Sequence, residues 1–395
     1  MIYMDAASTA ELSDIDDIII DKITKSMQEY WYNPSSLYSE SQATKEKINE
    51  CRSNIAKFIN AKPEEIYFTS SGSETNNWVL QGFVKQCKKE GKLPYIITSD
   101  IEHSSILECL KSFDMDVQRD YVPVDKYGTI DIDYLKKLLE LNRCNKVGRY
   151  EILVSIQFAN NEIGTIQSIK RIAEIVHVYD GIFHTDAVQV FGKYPIDVAE
   201  DCIDLMTVSG HKISPVLKGT AFLYKKDDVN IQPLIHGSQE NELRGGTENT
   251  FGIIGLSKAV EYCNTSFDNL KYKTDVRDEL IKILEERFNC KLNGLSGYRL
   301  DNNINVTFPN TIGESLLYTL DLSNVYISTG SACNAKYFKP SHVLKAIGLT
   351  DEEAMRTVRI TLPDLSHYTI GECMALFNVF LYELEKAVKI TSTEE

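Results

Sequence analysis

Short apolar runs alternate along the chain with longer segments in which apolar residues recur at helical spacing. The runs with the length of buried strands lie at 66–68, 95–99, 152–158, 182–185, 204–208 and 220–224. The segments with helical spacing lie near 41–59, 74–87, 131–141 and 168–179. This alternation predicts an α/β fold in which helices cover a mainly parallel sheet.

The second half of the chain has a different pattern. A long helical segment is predicted at about 248–289, followed by apolar segments at 305–308 and 356–362 and by a closing helix near 369–388. We find no repeat and no low-complexity linker in the sequence. A chain of 395 residues is long enough for two domains.

A candidate catalytic lysine follows the predicted strand that ends at Val208, in the sequence Ser209-Gly210-His211-Lys212. Burial readily lowers the pKa of a lysine, and the free amine can then condense with an aldehyde such as pyridoxal 5'-phosphate (PLP). Lys212 is therefore a candidate Schiff-base lysine. Since most lysines are solvated surface charges, an ordinary surface position is the alternative for this tetrapeptide taken alone.

Asp186 follows the predicted strand at 182–185. An aspartate that faces the pyridine nitrogen of PLP keeps that nitrogen protonated, and the protonated ring can store electrons. Gln189, one turn later, is placed to reach the phenolic oxygen of the ring. Taken alone, Asp186 is equally consistent with an N-cap of a following helix.

The small-residue segment Thr69-Ser70-Ser71-Gly72-Ser73-Glu74-Thr75-Asn76 connects a predicted strand to a predicted helix. Small residues let the backbone approach a phosphate, and a helix N-terminus offers unpaired N–H groups. A phosphate site is therefore one interpretation, and an ordinary strand-to-helix turn is the other. Open α/β folds bind ligands at the edge where their parallel strands end. Positions 69–76, 103, 161, 186 and 212 would all lie at this one edge of the sheet.

Further motifs extend over nearly the whole chain. They are Tyr3-Met4-Asp5-Ala6-Ala7-Ser8-Thr9, Asn33-Pro34-Ser35-Ser36, Glu102-His103-Ser104, Asn160-Asn161-Glu162-Ile163-Gly164, Arg244-Gly245-Gly246-Thr247-Glu248-Asn249, Ser331-Ala332-Cys333, Pro340-Ser341-His342-Val343-Leu344 and Val358-Arg359-Ile360. Together with the segments around Asp186 and Lys212, they resemble the cysteine desulfurases of the NifS/IscS type, within the class V aminotransferase family (PLP fold type I).

The resemblance implies a role for each matching residue. His103 would stack on the PLP ring and take part in proton transfer, Asn161 would contact the substrate carboxylate or the ring oxygen, and Arg359 would bind the substrate carboxylate through two parallel charge-assisted bonds. Thr247 would reach the phosphate bound by a partner subunit, so a homodimer would complete each site. The other cofactor-binding residues would be Gly72, Ser73, Asp186, Gln189, Ser209, His211 and Lys212.

Ordinary structural roles are the alternatives for three of these residues. His103 is also consistent with a helix-capping or packed histidine, Arg359 with a surface ion pair, and Thr247 with a turn residue.

Cys333 distinguishes a desulfurase from the aminotransferases of this family. It lies in a small-residue stretch, 328–334, before a helical run that begins near Pro340. An exposed thiolate on such a loop can attack a substrate sulfur and pass it to another protein. Without the resemblance, a buried structural cysteine is the alternative.

The expected activity is conversion of L-cysteine to L-alanine, with the sulfur kept as a persulfide on Cys333 for a sulfur-acceptor protein. The acceptor would serve iron–sulfur cluster assembly or the thiolation of nucleic acids or cofactors. A selenocysteine lyase, another class V aminotransferase and a catalytically silent scaffold of the same fold are the alternatives. The joint presence of Lys212, Asp186, His103 and Arg359 with Cys333 counts against the scaffold.

The resemblance also implies a large PLP-binding domain at 16–260 and a smaller α+β domain formed by 1–15 and 261–395, which carries Cys333. Two segments depart from the family pattern. The segment 213–219 is one residue longer than usual, and 362–367 replaces a Gly-Arg-Phe-like run.

Composition adds several exclusions. The net charge of −15 argues against direct binding to nucleic acid or to an anionic membrane. No apolar run approaches the roughly 20 residues of a membrane span, and no secretory signal is visible. The nine cysteines are irregularly spaced without a C-x-x-C pair, which predicts neither a disulfide framework nor a zinc site and is typical of a reducing cytoplasm.

Overall fold

The computed structural model describes residues 1–144, 150–329, 340–366 and 368–392. The strands are β1 (Ile2–Tyr3), β2 (Ile66–Thr69), β3 (Leu93–Ser99), β4 (Gln118–Val122), β5 (Tyr150–Ser155), β6 (Ile182–Asp186), β7 (Leu205–Ser209), β8 (Ala221–Lys225), β9 (Lys291–Leu292), β10 (Asn303–Thr307), β11 (Val325–Tyr326) and β12 (Thr357–Thr361). The α-helices are α1 (Asp14–Glu29), α2 (Ser39–Phe58), α3 (Gly72–Lys89), α4 (Ser104–Lys111), α5 (Ile132–Cys144), α6 (Ile169–Val178), α7 (Thr250–Ser266), α8 (Leu270–Phe288), α9 (Gly313–Asp321), α10 (His342–Ala346), α11 (Asp351–Met355) and α12 (Ile370–Thr391).

The central sheet has seven strands in the order β2-β8-β7-β6-β5-β3-β4. β8 is antiparallel to both of its neighbours, and the remaining pairs are parallel. Consequently β2, β3, β5, β6 and β7 all end at the same edge of the sheet. This is the edge that the sequence predicts for the candidate site, and the predicted mainly parallel α/β fold is confirmed.

Alternate residues of the central strands enter two different hydrophobic clusters. Ile97 of β3 and Val154 of β5 pack on the side of α2, α6 and α7, whereas Ile96 and Leu153 pack on the side of α3 and α4. Since side chains alternate between the faces of a strand, the sheet must be covered on both sides. The apolar runs of the sequence are therefore the middle layer of a three-layer structure.

A third hydrophobic cluster lies around the antiparallel sheet β12-β10-β9. Its members come from Met4 and from positions between Leu280 and Ala387, including residues of α8, α9 and α12. β1 pairs in parallel with β11, and the backbone N–H of Thr361 donates to the carbonyl of Met4 at 2.7 Å. The first residues of the chain therefore pack with the last third of it.

Most predicted elements of the central sheet are confirmed to within three residues at each end. The single helix predicted at 248–289 is wrong, because a 3-10 turn at Phe267–Asn269 separates α7 from α8. The elements that were not predicted include α1, α4 and the edge strand β4. In α1, three consecutive isoleucines obscure the helical period, because Ile19 is fully buried whereas Ile18 and Ile20 are each 41% exposed.

None of the helices within the described ranges is both long and apolar enough to cross a membrane.

Candidate active site

Lys212 lies just beyond the end of β7. All five residues of β7 are buried, and the chain then turns through the short 3-10 helix Gly210–Lys212. The Nζ atom of Lys212 donates hydrogen bonds to the backbone carbonyls of Ala7, at 2.6 Å, and Ser8, at 2.7 Å. The structure thus places a partly buried amine at the carboxyl edge of the sheet, against the segment that follows β1.

Gly210 permits the close packing of this turn. A Cβ atom at this position would lie 2.9 Å from the Cβ of Leu217 and 3.0 Å from the carbonyl oxygen of Thr220. Only glycine avoids both contacts without a shift of the backbone. The small residue before His211 and Lys212 therefore brings these two side chains onto the sheet edge.

Asp186 is the last residue of β6 and is 8% exposed. Its Oδ1 accepts a hydrogen bond from the backbone N–H of Val188 at 3.0 Å, and its Oδ2 accepts one from Nδ2 of Asn76 at 2.7 Å. A turn follows Asp186, so its role as an N-cap of a helix, the alternative from the sequence, is wrong. The carboxylate is instead held at the sheet edge by a neighbouring loop and by α3.

His103 is the N-cap of α4. Its Nδ1 accepts a hydrogen bond from the backbone N–H of Ser105 at 3.2 Å and lies 2.8 Å from the Oγ of the same serine. Burial lowers the pKa of His103, Asp186 opposes this effect, and the positive charge of Lys212 adds to it. His103 therefore caps a helix, as the alternative from the sequence proposes, and also lies within electrostatic range of Asp186 and Lys212.

The N-terminus of α3 packs against the ends of β6 and β7. A Cβ atom on Gly72 would lie 3.0 Å from Cγ2 of Val188 and 3.5 Å from the Cβ of Ser209. Glycine therefore allows the helix terminus to approach the sheet closely, and Ser73 beside it is exposed. The unpaired N–H groups and the positive dipole end of a helix terminus favour an anion at this place.

Two further residues of the candidate site contact the segment that follows β1. Nδ1 of His211 lies 3.3 Å from Oγ1 of Thr9, and burial lowers the pKa of His211 to about 4, with nearby lysines acting in the same direction. Gln189 is 7% exposed, and its Nε2 donates to the carbonyl of Ala7 at 3.2 Å. Its Oε1 has no hydrogen-bond partner within the part of the chain that the structure describes.

Arg359 lies in the middle of β12 and is 3% exposed, so a surface position is wrong. Its Nη2 donates to Oδ1 of Asp5 at 2.7 Å and to Oγ of Ser8 at 2.9 Å, and its Nη1 donates to the backbone carbonyl of Asn161 at 3.2 Å. Its Nε has no partner among the described residues. The guanidinium is thus a buried cation between the start of the chain and the Asn161 loop.

Cys333 belongs to the segment 330–339, which lies outside the described residues. The described residue before this segment is Thr329, and the backbone of Ser328 forms two hydrogen bonds with that of Arg359, at 2.6 and 3.0 Å. The segment that carries Cys333 therefore starts next to the buried arginine.

The described residues that follow this segment also contact the site. Ser341 caps α10 and donates through Oγ to Oε2 of Glu162 at 2.5 Å. Burial raises the pKa of Glu162 to about 7, and the Ser341 bond and Arg359 oppose this effect. Nε2 of His342, the residue after Ser341, lies 3.0 Å from the backbone carbonyl oxygen of Glu102.

Thr247 is exposed. Its loop is attached to α3 and α2 by two ion pairs. Arg244 donates to both carboxylate oxygens of Glu74, at 2.9 and 3.2 Å, and Arg52 donates to both oxygens of Glu240, at 2.8 Å each. Thr247 therefore lies at the surface on a loop that two ion pairs hold in place.

The segments 213–219 and 362–367, which depart from the family pattern, lie on another side of Lys212. Residues of both segments line a cavity of about 300 Å³ that Lys212 also lines. Asp364 in the second segment lies 3.7 Å from Lys273. His367 lies outside the described residues.

The structure thus brings together Lys212, Asp186, His103, Gly72 and Ser209. Sequence reasoning missed Asn76, Ser105, Asp5 and Glu162 as contacts of the site. Asn76 lies three positions after Ser73, which places it on the same side of α3, and this spacing is a signal for it. The contact between Asp5 and Arg359 has no such local signal.

Comparison with known proteins places this site in a family. The family model described as aminotransferase class-V matches residues 2–364. The cysteine desulfurase IscS of Dictyoglomus turgidum is 42% identical over 91% of this chain and 89% of its own length. A solved structure of a NifS-like protein has a TM-score of 0.84 at 31% identity and covers 98% of both chains. A structure described as SspA in complex with cysteine has a TM-score of 0.76 at 33% identity, over 92% of this chain and 99% of that one.

This chain therefore belongs to the class V aminotransferase family, and the resemblance found in its sequence is confirmed.

Proposed function

We propose that this protein is a cysteine desulfurase, which takes the sulfur of L-cysteine, releases L-alanine and holds the sulfur as a persulfide on Cys333. The observation that carries the proposal is the convergence of Lys212, Asp186 and His103 at one sheet edge, with Arg359 joined to the start of the Cys333 segment. The similarity to cysteine desulfurases over 91% of the chain supports the same conclusion.

PLP is the proposed cofactor, and the residues present fit it. The buried Oε1 of Gln189 lacks a partner in the described part of the chain, and the N-terminus of α3 with Ser73, Ser209 and His211 offers donors for a phosphate. Lys212 would hold the aldehyde carbon, Asp186 the ring nitrogen, and Asn161 the ring oxygen or the substrate. When bound, PLP supplies an electron sink for negative charge that develops on the substrate α-carbon.

Arg359 is the proposed binding residue for the substrate carboxylate. A buried guanidinium makes strong charge-assisted bonds with a carboxylate. Its Nη2 contacts Asp5 and Ser8, whereas its Nε has no partner among the described residues. The incoming carboxylate would use this unsatisfied donor and compete with Asp5 for the rest of the guanidinium.

Lys212 and His103 are the proposed proton carriers. The amine of Lys212, as a free base, would take the proton from the α-carbon of the substrate. Since Nδ1 of His103 accepts the N–H of Ser105, the neutral imidazole carries its proton on Nε2. His103 would therefore donate a hydrogen bond through Nε2 and return a proton when the product forms.

Cys333 would accept the sulfur as a thiolate. The thiolate attacks the sulfur of the substrate, a bond forms between the two sulfurs, and the bond between Cβ and sulfur breaks. The electron pair of the broken bond stays with the carbon skeleton, which becomes alanine after protonation. Cys333 lies five positions after Ser328, so its Cα can lie up to about 17 Å from the Cα of Ser328.

The proposal includes a homodimer, a sulfur-acceptor protein and a cytoplasmic location, without direct binding to nucleic acid or membrane. The exposed position of Thr247 supports a role across a subunit interface, and the exposed Trp31 and Leu37, at 62% and 93%, support an apolar contact surface. Seven cysteines in the described part of the chain form no disulfide bond, as expected in a reducing compartment.

We also propose the division into a large domain at 16–260 and a small domain from 1–15 and 261–395. The separate hydrophobic cluster around β12-β10-β9, to which Met4 contributes, supports it.

The direct test is incubation of the purified protein with PLP and L-cysteine, with alanine quantified and the persulfide located by mass spectrometry. We expect alanine from the wild type, a persulfide on Cys333, and neither product from Cys333→Ser, since a serine hydroxyl is a poor nucleophile toward sulfur. Cys202→Ser, a change at a partly exposed cysteine away from the site, is the matched control and should retain activity. Full alanine production by Cys333→Ser would overturn the persulfide route and favour a lyase.

A further inference from the structure

Asn76 connects two parts of the proposed site that differ in chemistry. It is 1% exposed and lies in the first two turns of α3. Its amide Nδ2 donates to Oδ2 of Asp186 at 2.7 Å and to Oγ of Ser105 at 2.9 Å. The same Ser105 hydroxyl lies 2.8 Å from Nδ1 of His103. A continuous chain of hydrogen bonds therefore runs from Asp186 through Asn76 and Ser105 to His103.

The direction of each bond in this chain follows from the donors available. A carboxylate only accepts, so Asn76 must turn its amide nitrogen, with two hydrogens, toward Asp186. The second hydrogen goes to the Ser105 oxygen, and the single hydroxyl hydrogen of Ser105 is then left for Nδ1 of His103. The backbone N–H of Ser105 also donates to this nitrogen, at 3.2 Å, so the nitrogen is an acceptor in both contacts.

We propose that Asn76 is a positioning residue that orients the carboxylate of Asp186 and sets the tautomer of His103 at the same time. The donated hydrogen holds one carboxylate oxygen in place, and the ordered Ser105 hydroxyl favours the imidazole with its proton on Nε2. The value of this arrangement for catalysis rests on the proposed function, because Asp186 and His103 act there on the ring nitrogen and on protons of the substrate. The hydrogen-bond chain itself can be measured without cofactor or substrate.

Alternative explanations for a buried asparagine differ in what they predict. An amide that only packs α3 onto the sheet would affect stability and leave the protonation of His103 unchanged. The Oδ1 of Asn76 has no partner in the described part of the chain, so the known contacts of its side chain are all made by the nitrogen. A purely structural role would not require that the two amide hydrogens go to the neighbours of the proposed cofactor.

The test is nitrogen-15 NMR of histidine-labelled protein without cofactor, with His103→Gln used to assign the signals. We expect the wild type to show one tautomer, with the proton on Nε2, and a low pKa. Asn76→Leu should give a mixture of tautomers and a raised pKa of His103, because the Ser105 hydroxyl is then no longer held as a donor to Nδ1 of the neutral imidazole. Asn77→Leu is the matched control, since the side chain of Asn77 bonds to the backbone carbonyls of Ser73 and Ser105 and to Nε2 of Gln81, and it should resemble the wild type.

A second pair of variants covers the case in which Asn76→Leu does not fold. Ser105→Ala removes the bridging hydroxyl and should also give mixed tautomers, whereas Ser105→Thr keeps a hydroxyl and should restore the single form. A folded Asn76→Leu or Ser105→Ala protein with one Nε2-protonated tautomer and an unchanged pKa of His103 would overturn the proposal. In the PLP-loaded enzyme, Asn76→Leu should lower kcat for L-cysteine about tenfold or more with KM unchanged. A protein that forms no alanine at all would contradict the desulfurase proposal and leave the NMR result intact.

Discussion

At the scale of single residues, the charged groups of the site are held by short contacts that come from distant parts of the chain. Arg359 on β12 is bound by Asp5, Ser8 and the carbonyl of Asn161. None of these three neighbours lies near Arg359 in sequence. The arginine is therefore placed by the tertiary structure, and its planar shape allows it to use several partners at once.

We expect Arg359→Lys to raise KM for L-cysteine by about tenfold to a hundredfold, because one ammonium group cannot replace the contacts of a guanidinium. PLP binding should be retained, since Arg359 is not among the proposed cofactor ligands. Steady-state kinetics and the visible absorption of bound PLP measure the two effects. Arg356→Lys is the matched control at a more exposed arginine close by. An unchanged KM in a folded Arg359→Lys protein would contradict the proposed role.

Local patterns in the sequence were sufficient for residues that follow buried strands. Lys212 and Asp186 were predicted at one edge because each stands where an apolar strand ends, and the structure brings both within range of His103. The roles of these residues in catalysis remain predictions. Asp5 could not be predicted as a partner of Arg359, because 354 positions separate them and no periodicity connects them.

At the scale of elements, the short helix α10 is attached to the site through its N-cap. The Oγ of Ser341 accepts from the backbone N–H groups of Val343 and Leu344 and donates to the buried Glu162. A carboxyl group that is buried with few donors favours its protonated form. The attachment of α10, and with it the end of the Cys333 segment, therefore depends on the charge of Glu162.

The pH dependence of stability tests this attachment. The pKa of Glu162 is about 7 in the folded protein and 4.5 ordinarily. The contribution of Glu162 to the free energy of unfolding is complete below pH 4.5. It falls by on the order of 3 kcal/mol as the pH rises through 7. Glu162→Gln imitates the protonated group at every pH. We therefore expect Glu162→Gln to become more stable relative to the wild type between pH 5 and pH 8, approximately by this amount.

Urea unfolding at several pH values in this range measures the difference. Glu352→Gln, a change at a largely exposed carboxylate paired with Arg356, is the control and should show little pH-dependent difference. A constant difference between Glu162→Gln and the wild type across the range would mean that Glu162 titrates normally.

The elements that the sequence missed have physical reasons in common. β4 is an edge strand, and four of its five residues are only partly buried, so it contains no apolar run. β1 is two residues long and is stabilised by pairing with β11. Local patterns report burial against neighbours in sequence, and they fail where burial is partial or where the partner is remote.

At the scale of the whole molecule, the proposed site includes Thr247 of a second subunit. The loop of Thr247 is attached by Arg244 to Glu74 near the N-terminus of α3, yet Thr247 itself is exposed. An exposed threonine on a firmly held loop is suited to contact a second subunit.

Mixing two inactive variants tests the dimer. Lys212→Ala removes the amine of its own site, and Thr247→Ala removes the contact to the phosphate of the neighbouring site. Each mixed dimer contains one site with neither change. We therefore expect a mixed dimer to have up to about half of the activity of a wild-type dimer. Native mass spectrometry should confirm subunit exchange. If exchange occurs without recovered activity, each site is built from one chain.

The contacts of residues 2–8 have a consequence for the synthesis of this protein. The carbonyls of Ala7 and Ser8 accept hydrogen bonds from the amine of Lys212, about 200 positions later in the chain. Asp5 accepts a hydrogen bond from Arg359, 354 positions later. At typical rates of translation, Arg359 is synthesised roughly 20–70 s after Asp5. The proposed substrate site is therefore completed only after Arg359 has been synthesised, and a nascent chain that already contains Lys212 still lacks the cation that would bind the substrate.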